Sequence, residues 1–264
     1  MKYMMLLLPV VLIFVSVNHA VAQDSLGIAV SKLESNISYN LKIMGADLEN
    51  AAKEIGRLKE PEIRKLLTKL YADKPYVIDA AFINAKGIMT IIEPDKYKMY
   101  EGTDISNQEA IILIKRSKKP FMSNVFDSVE GIKAIDIEYP VFSADGKFLG
   151  SLSLLVEQDK FIRNIISPIE KELGIKCWVM QKDGIIIYET DPTQIGLNLF
   201  SDPLYRDYHE LVSLGKRMVK EKDGTGYYTF LIHGTDKVIK KQAAWKTIRF
   251  FDSDWIVVAY REIK

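Results

Sequence analysis

A single cysteine, Cys177, in 264 residues leaves no partner for an internal disulfide and no thiol cluster for a structural metal. Three histidines, His19, His209 and His233, cannot build an ordinary histidine-rich centre, so neither a metal nor a cofactor is expected. Charge of one sign is missing as well. With 36 basic and 35 acidic residues the net charge is +1, which gives nucleic acid or an anionic membrane no concentrated basic surface to bind. Catalytic patterns are also absent: His209-Glu210 has no second histidine, Gly150-Ser151-Leu152-Ser153 is not a nucleophile elbow, and Gly224-Thr225-Gly226 lacks the glycines of a phosphate loop. The expectation is therefore a protein that is not an enzyme. What is present is 48% hydrophobic and 27% charged, an ordinary globular composition with enough apolar mass for one or two cores.

The one long apolar run opens the chain. Lys2, the apolar stretch 4–17 and the small-x-small triplet Ala20-Val21-Ala22 read as an export signal over 1–22, cleaved after Ala22. The expected location is then periplasmic or extracellular. The alternative is an uncleaved anchor, because 3–22 approaches the roughly 20 residues a bilayer requires. Beyond it, Leu26, Val30, Leu33, Ile37, Leu41, Met44, Leu48, Ala51, Ile55 and Leu58 recur at steps of three and four, one continuous stripe on a helix of roughly 50 Å. So long a stripe must span two domains or pair with another chain, and both are expected here, the second as a homodimer. A shorter helix follows over 62–70, with Pro61 at its start.

The centre of the sequence is the stretch 118–156. Two strand-like runs, 132–142 and 148–156, flank a turn containing Asp145-Gly146, the signature of an antiparallel hairpin. In the first run Ile135, Ile137, Tyr139 and Val141 alternate with Ala134, Asp136 and Glu138, so the acidic pair faces away from the aliphatic row. That acidic face is either solvated or the wall of a pocket. Strands over 76–84 and 87–92 and a helix over 106–116, capped by Ser106 with Glu109 three residues on, precede the hairpin. After a linking helix over 159–173 the same order recurs: strands 176–181 and 184–190, a helix near 203–214, and strands 226–232, 238–249 and 254–260. The fold class is α+β, with a long N-terminal helix supporting two antiparallel-sheet modules in tandem.

Three sets of residues are candidates for binding. Asp136 and Glu138, with Asn124, could receive a cation or a hydroxyl-rich ligand. Tyr97 and Tyr100 could form a lid, or could be packing anchors. In the second section Tyr188, Tyr228, Lys241 and Trp245 could make an aromatic box with one cation, suited to a carboxylate; core packing with a snorkelling lysine is the other account.

Several segments resemble the double Cache domain, the PAS-like extracytoplasmic sensor of chemoreceptors and histidine kinases. In the first section these are Tyr100-Glu101-Gly102-Thr103-Asp104-Ile105-Ser106, Lys119-Pro120-Phe121-Met122-Ser123-Asn124-Val125-Phe126, and Tyr139-Pro140-Val141-Phe142. In the second they are Lys182-Asp183-Gly184, the run 191–198, and Trp245-Lys246-Thr247-Ile248 with Trp255-Ile256-Val257-Val258. The resemblance covers essentially everything after the signal. It implies a division into a signal peptide (1–22), an N-terminal helical segment (23–75), a membrane-distal module (76–158), and a linking helix with a membrane-proximal module (159–264). It also implies a small ligand, usually held in the distal module, and the residues expected in such a site here are Tyr100, Met122, Asn124, Phe126, Asp136 and Glu138.

The best-defined signature of that family recognises amino acids through an Arg and aromatics after the distal helix and an Asp on the last strand. Here Pro120-Phe121-Met122-Ser123 and Leu155 stand in those places, which argues against an ordinary α-amino acid. The sequence ends at Lys264 with no kinase or cyclase region after the last strand. The expected function is thus an exported sensor module, used in signal transduction such as chemotaxis, that lacks its own output domain and hands ligand or conformational change to a membrane receptor partner. The alternative is a structural dimerisation module that binds no ligand.

Overall fold

The computed structural model describes the backbone of residues 10–263 and the side chains from residue 25 onward. The expected signal over 1–22 lies outside the described side chains, and its first nine residues lie outside the described backbone as well. Among the described residues no helix is long and apolar enough to cross a membrane.

The first helix, α1 (Val10–Ile55), has 46 residues and so a length of about 69 Å. Its stripe from Leu26 through Leu33, Leu41 and Leu48 to Ile55 is fully buried against both sheets of the same chain. The helix therefore does span two modules, and the stripe assigned to a homodimer is already covered from within. What α1 leaves exposed is a different side, carrying Ile28, Tyr39 and Ile43. The helix stops where Gly56 passes so close to the first sheet that a Cβ there would lie 2.3 Å from the Phe142 carbonyl oxygen. Pro61 occupies the first turn of α2 (Glu60–Tyr71), which buries Ile63, Leu67 and Leu70.

The first sheet is built from β1 (Val77–Asn84), β2 (Met89–Glu93), β3 (Phe121–Met122), β4 (Phe126–Asp127), β5 (Lys133–Phe142) and β6 (Phe148–Val156). Between β2 and β3 lie a 3-10 turn, Asp95–Tyr100, and α3 (Glu109–Ser117). The strand order is β2-β1-β6-β5-β3, with β4 also on β5, and every pair is antiparallel. After α4 (Gln158–Leu173) the second sheet comprises β7 (Lys176–Gln181), β8 (Ile186–Glu189), β9 (Asp223–Leu231), β10 (Val238–Phe250) and β11 (Ser253–Ile263), with α5 (His209–Lys220) between β8 and β9. Its order, β8-β7-β11-β10-β9, traces the same path as the first. One face of each sheet packs on α1, and the other faces the segment that joins its second strand to its later ones.

Two helix starts differ from expectation. Ser106 is not a cap: its backbone N–H donates to Asp104 Oδ1 at 2.9 Å, and Ile105 N–H donates to Gly87 O at 2.9 Å. The chain is held against the β1–β2 turn there, so α3 begins only at Glu109, after an N-cap Gln108 that makes no side-chain bond. The helix expected near 203–214 is divided. Asp202 accepts from Leu204 N–H at 2.9 Å and closes a single 3-10 turn, Pro203–Tyr205, and the regular helix starts at His209.

Candidate functional sites

On β5 the alternation read from the sequence holds, and both of its faces are buried. Asp136 is 5% exposed and Glu138 is inaccessible, so the acidic row is not a solvated face. The strand register sets Asp79 on β1 opposite Leu155 on β6, and Leu155 opposite Asp136 on β5. One pleat further along, Ser153 stands opposite Glu138. Three carboxyl groups therefore share the face of the first sheet turned away from α1, covered by Ile105, Gln108, Phe126, Ser128 and Glu130. The cavity left beneath this cover is about 20 Å³, the scale of one water.

These acids are poorly satisfied. Ser153 donates its hydroxyl to Asp136 Oδ1 at 2.6 Å, whereas Asp79 Oδ2 and both oxygens of Glu138 make no hydrogen bond of good geometry, with Ser151 and Asp136 the polar side chains beside Glu138. Burial pushes the Asp79 carboxyl well above its ordinary value, and the charges of Glu130 and Asp136 push it further. For Asp136 burial raises the value to about 6, against the Ser153 bond that favours the ionised form. Glu138 is raised well above the usual range, first by burial and then by the neighbouring Asp136 charge. No Arg or Lys lines this cavity, so it can neutralise a cation and offers nothing to an anion.

Of the six residues expected in the distal site, Phe126 and Asp136 line the cavity and Glu138 lies on the same face. Tyr100 packs with Met89, Ile105 and Ile111 in the covering segment. Met122 does not join them: β3 pairs it with Ile137, on the side facing α1, and its carbonyl accepts from Ser253 of the second module. Asn124 lies between β3 and β4 and is exposed, while its neighbour Ser123 is bonded to Asp136 on β5. Asp79 was missed, although a lone acid in the apolar run Val77-Ile78-Asp79-Ala80-Ala81-Phe82 was a visible signal. Leu155 does lie in the lining, but acids stand on both sides of it; the argument against an α-amino acid is the missing cation for its carboxylate.

The segment over this cavity is tied to α2. Arg64 donates to Glu101 through Nη1 at 2.9 Å and Nη2 at 3.2 Å, and to Glu93 Oε1 at 3.2 Å, while its Nε reaches Glu60 at 3.1 Å.

The second module holds a larger cavity, about 190 Å³, between its sheet and the segment 191–211, with the turn 232–235 at its edge. Tyr228 and Lys241 line it. Tyr188 and Trp245 do not: Tyr188 lies on the opposite face, its hydroxyl donating to Glu170 Oε2 at 3.3 Å, and Trp245 is buried toward α5, its indole N–H donating to Glu221 O at 3.2 Å. The expected four-residue box is thus divided between two faces of one sheet. The residues that complete the cavity, Glu189, Asp191, Tyr205, Phe230 and Tyr260, come from strand ends and from the covering segment, which only the tertiary fold brings together.

Residues 39–158 match the family model described as "HK/GC/Chemotaxis protein-like, sensor domain". This stretch, 120 of the 264 residues, is similar to the sensor domains of that family. Solved structures extend the likeness to both modules. An extracellular ligand-binding receptor from Desulfohalobium retbaense is 26% identical with a TM-score of 0.74, over 89% of this chain and 40% of that one. The chain thus spans less than half of that receptor's length. The ligand-binding domain of the Pseudomonas aeruginosa amino acid chemoreceptor PctC, in complex with GABA, is 15% identical with a TM-score of 0.63, over 91% of this chain and 100% of that one. The corresponding domain of Pseudomonas fluorescens chemoreceptor CtaA, in complex with L-isoleucine, is 16% identical with a TM-score of 0.65, over 92% and 94%. These two show a shared fold. No curated protein sequence matches the chain. The tandem PAS-like architecture is that of the Cache-type sensors of chemoreceptors and histidine kinases, which are extracellular or periplasmic and non-catalytic.

Proposed function

We propose that this chain is the sensing part of an extracytoplasmic signalling system and that its distal module takes a small organic cation. The observation that carries this reading is the sealed acidic face: Asp79, Asp136 and Glu138 are buried together, two of them with oxygens that make no hydrogen bond of good geometry, and no cation lies in the cavity lining. Such groups are costly to bury unless something neutralises or bonds them. An ammonium or amidinium group entering from above would do both. Because the cavity is about the size of one water, any ligand must displace the covering segment. Arg64 joins that segment to α2, and from there the displacement can reach α1 and a membrane partner. That route supplies the differential contact a ligand needs in order to shift a conformational equilibrium.

The small volume also favours a second reading, a structural module whose distal site is filled by its own side chains. A thermal-shift titration with putrescine, choline and agmatine separates the two. The sensor reading expects a melting temperature that rises with amine concentration, and loss of the response in Asp79→Asn and Asp136→Asn. Stabilisation by none of these amines, or stabilisation that both variants retain, would favour the structural module.

A further inference from the structure

We propose that the cavity of the second module is a separate binding site, for a small monocarboxylate with an apolar body. Its charge arrangement is the reverse of the distal one. Lys241 projects from β10 into the cavity, 3% exposed, with Nζ donating to Leu231 O at 2.7 Å and standing 4.7 Å from the Tyr260 ring centroid and 5.3 Å from that of Phe230. One bond to a carbonyl leaves donor capacity on the ammonium for a ligand oxygen. No ion pair joins Lys241 to a carboxylate. Of the acids near it, Glu262 is paired with Lys176 at 3.0 Å, and Glu189 lies across the cavity.

Glu189 supports the same assignment. It accepts from Thr190 N–H at 2.8 Å, and burial raises its carboxyl to about 8, against the pull of that bond and of Lys241. A carboxyl raised in this way can hold its proton near neutral pH and donate its O–H to a ligand carboxylate. Around it stand Lys241 on β10, Tyr228 on β9 and Tyr260 on β11. Tyr205 and Asp191 come from the covering segment and Glu170 from α4. The three tyrosines are raised by burial and stay neutral.

Asp191, at the rim, has its own partners: Thr193 Oγ1 at 2.7 Å, Thr193 N–H at 3.1 Å, Gln194 Nε2 at 3.4 Å, and His233 Nδ1 at 3.4 Å. Its charge is thereby held in place, and Lys241 is the cation that faces the interior, its pKa lowered by burial and held up by Glu189 and Glu262. The walls are Tyr205, Tyr228, Phe230, Tyr260, Ile186 and Leu211, with Tyr205 and Phe230 stacked at 5.7 Å. A volume of about 190 Å³ lies below the ~300 Å³ at which drug-sized ligands begin, so the occupant is small. One carboxylate on a compact apolar or aromatic body satisfies charge, walls and volume together.

The test uses four probes, three of them sharing one body: phenylacetate, phenylacetamide and phenethylamine, with isovalerate as a second carboxylate. Melting temperature is followed against probe concentration. The two carboxylates should stabilise the protein in a saturable way and the amide should not; phenethylamine, tested in Asp136→Asn so that the distal site cannot answer it, should not either. Lys241→Met should lower the apparent carboxylate affinity by at least about tenfold. Asp136→Asn, in the other module, should leave the phenylacetate response unchanged, so this result stands or falls separately from the amine experiment.

In the wild type the affinity should fall by about tenfold per pH unit above about pH 8, as Glu189 ionises. Glu189→Gln, which cannot ionise, should bind with a flatter pH profile; if Lys241→Met does not fold, this profile carries the test. No response to either carboxylate at about 10 mM would overturn the proposal. So would an equal response to the amide, an equal response to the amine in Asp136→Asn, a carboxylate response that survives in Lys241→Met, or a pH profile identical in wild type and Glu189→Gln.

Discussion

Glu138→Gln isolates the electrostatic burden of the sealed acidic face while keeping the shape of the side chain. Glu138 is inaccessible and neither of its oxygens makes a hydrogen bond of good geometry, so its carboxylate form is penalised in the folded protein and its pKa stands well above the usual 4.5. Above pH 4.5 the unfolded chain releases this proton while the folded protein keeps it. The folded state then binds more protons, and stability falls as pH rises until the folded-state value is reached. The limiting slope for one such group is about 1.4 kcal/mol per pH unit.

Glutamine does not titrate, so its own hydrogen-bonding gain or loss adds an offset independent of pH. The prediction is therefore the shape of the difference: relative to wild type, the variant gains stability as pH rises over the two units above 4.5, at up to about 1.4 kcal/mol per unit. At about 2–4 °C per kcal/mol for a chain of this size, that is up to roughly 3–6 °C in melting temperature per pH unit. Thermal denaturation followed by circular dichroism in ligand-free buffer reads it directly. A difference that stays constant across those two units would mean that Glu138 ionises as freely in the folded protein as in the unfolded one. The sealed acidic face would then be wrong.

Other perturbations test the frame. Leu33→Ala on the buried stripe of α1 should cost about 2–5 kcal/mol in chemical denaturation, and Tyr39→Ala, 65% exposed on the other side, less than about 0.5 kcal/mol. Equal costs would contradict the seating of α1. Gly150 has φ +146°, and a Cβ there would lie 1.9 Å from the Ile83 carbonyl oxygen. Gly150→Ala should therefore destabilise by about 3 kcal/mol or more, and a neutral result would contradict the β1–β6 register. Arg64→Ala leaves Glu93 and Glu101 without their shared guanidinium and should cost about 1–3 kcal/mol. In amide hydrogen exchange the loss should be felt first in the segment over the distal cavity, and unchanged protection there would show that Arg64 does not tie it down.

Much of the fold was legible because its signals are local and periodic. The three-and-four spacing from Leu26 to Ile55 specified a buried helical stripe, and Asp145-Gly146 between two alternating runs specified the β5–β6 hairpin. Helix starts were legible only where nothing distant interfered. Ser106 looked like a cap, yet Ile105 and Gly87 hold that stretch to the first β-turn, and a backbone bond made across sequence overrode the capping pattern.

The binding residues divide along the same line. Asp136 and Glu138 could be read because period two separates them from the aliphatic row, but Asp79 joins them only through the pairing of β1 with β6 and of β6 with β5. Tyr188 and Trp245 looked equivalent to Tyr228 and Lys241 as aromatic and cationic residues on strands, and the pleat and the covering helix sent them elsewhere.

Patterning alone pointed to the fold class: one long apolar stripe followed by two strand-rich repeats makes a helix-backed pair of sheets. Which charges meet in each module was decided only by tertiary structure. Strand register and loop closure are long-range choices, and they alone collected three acids under one cover and set Lys241 facing Glu189 under the other.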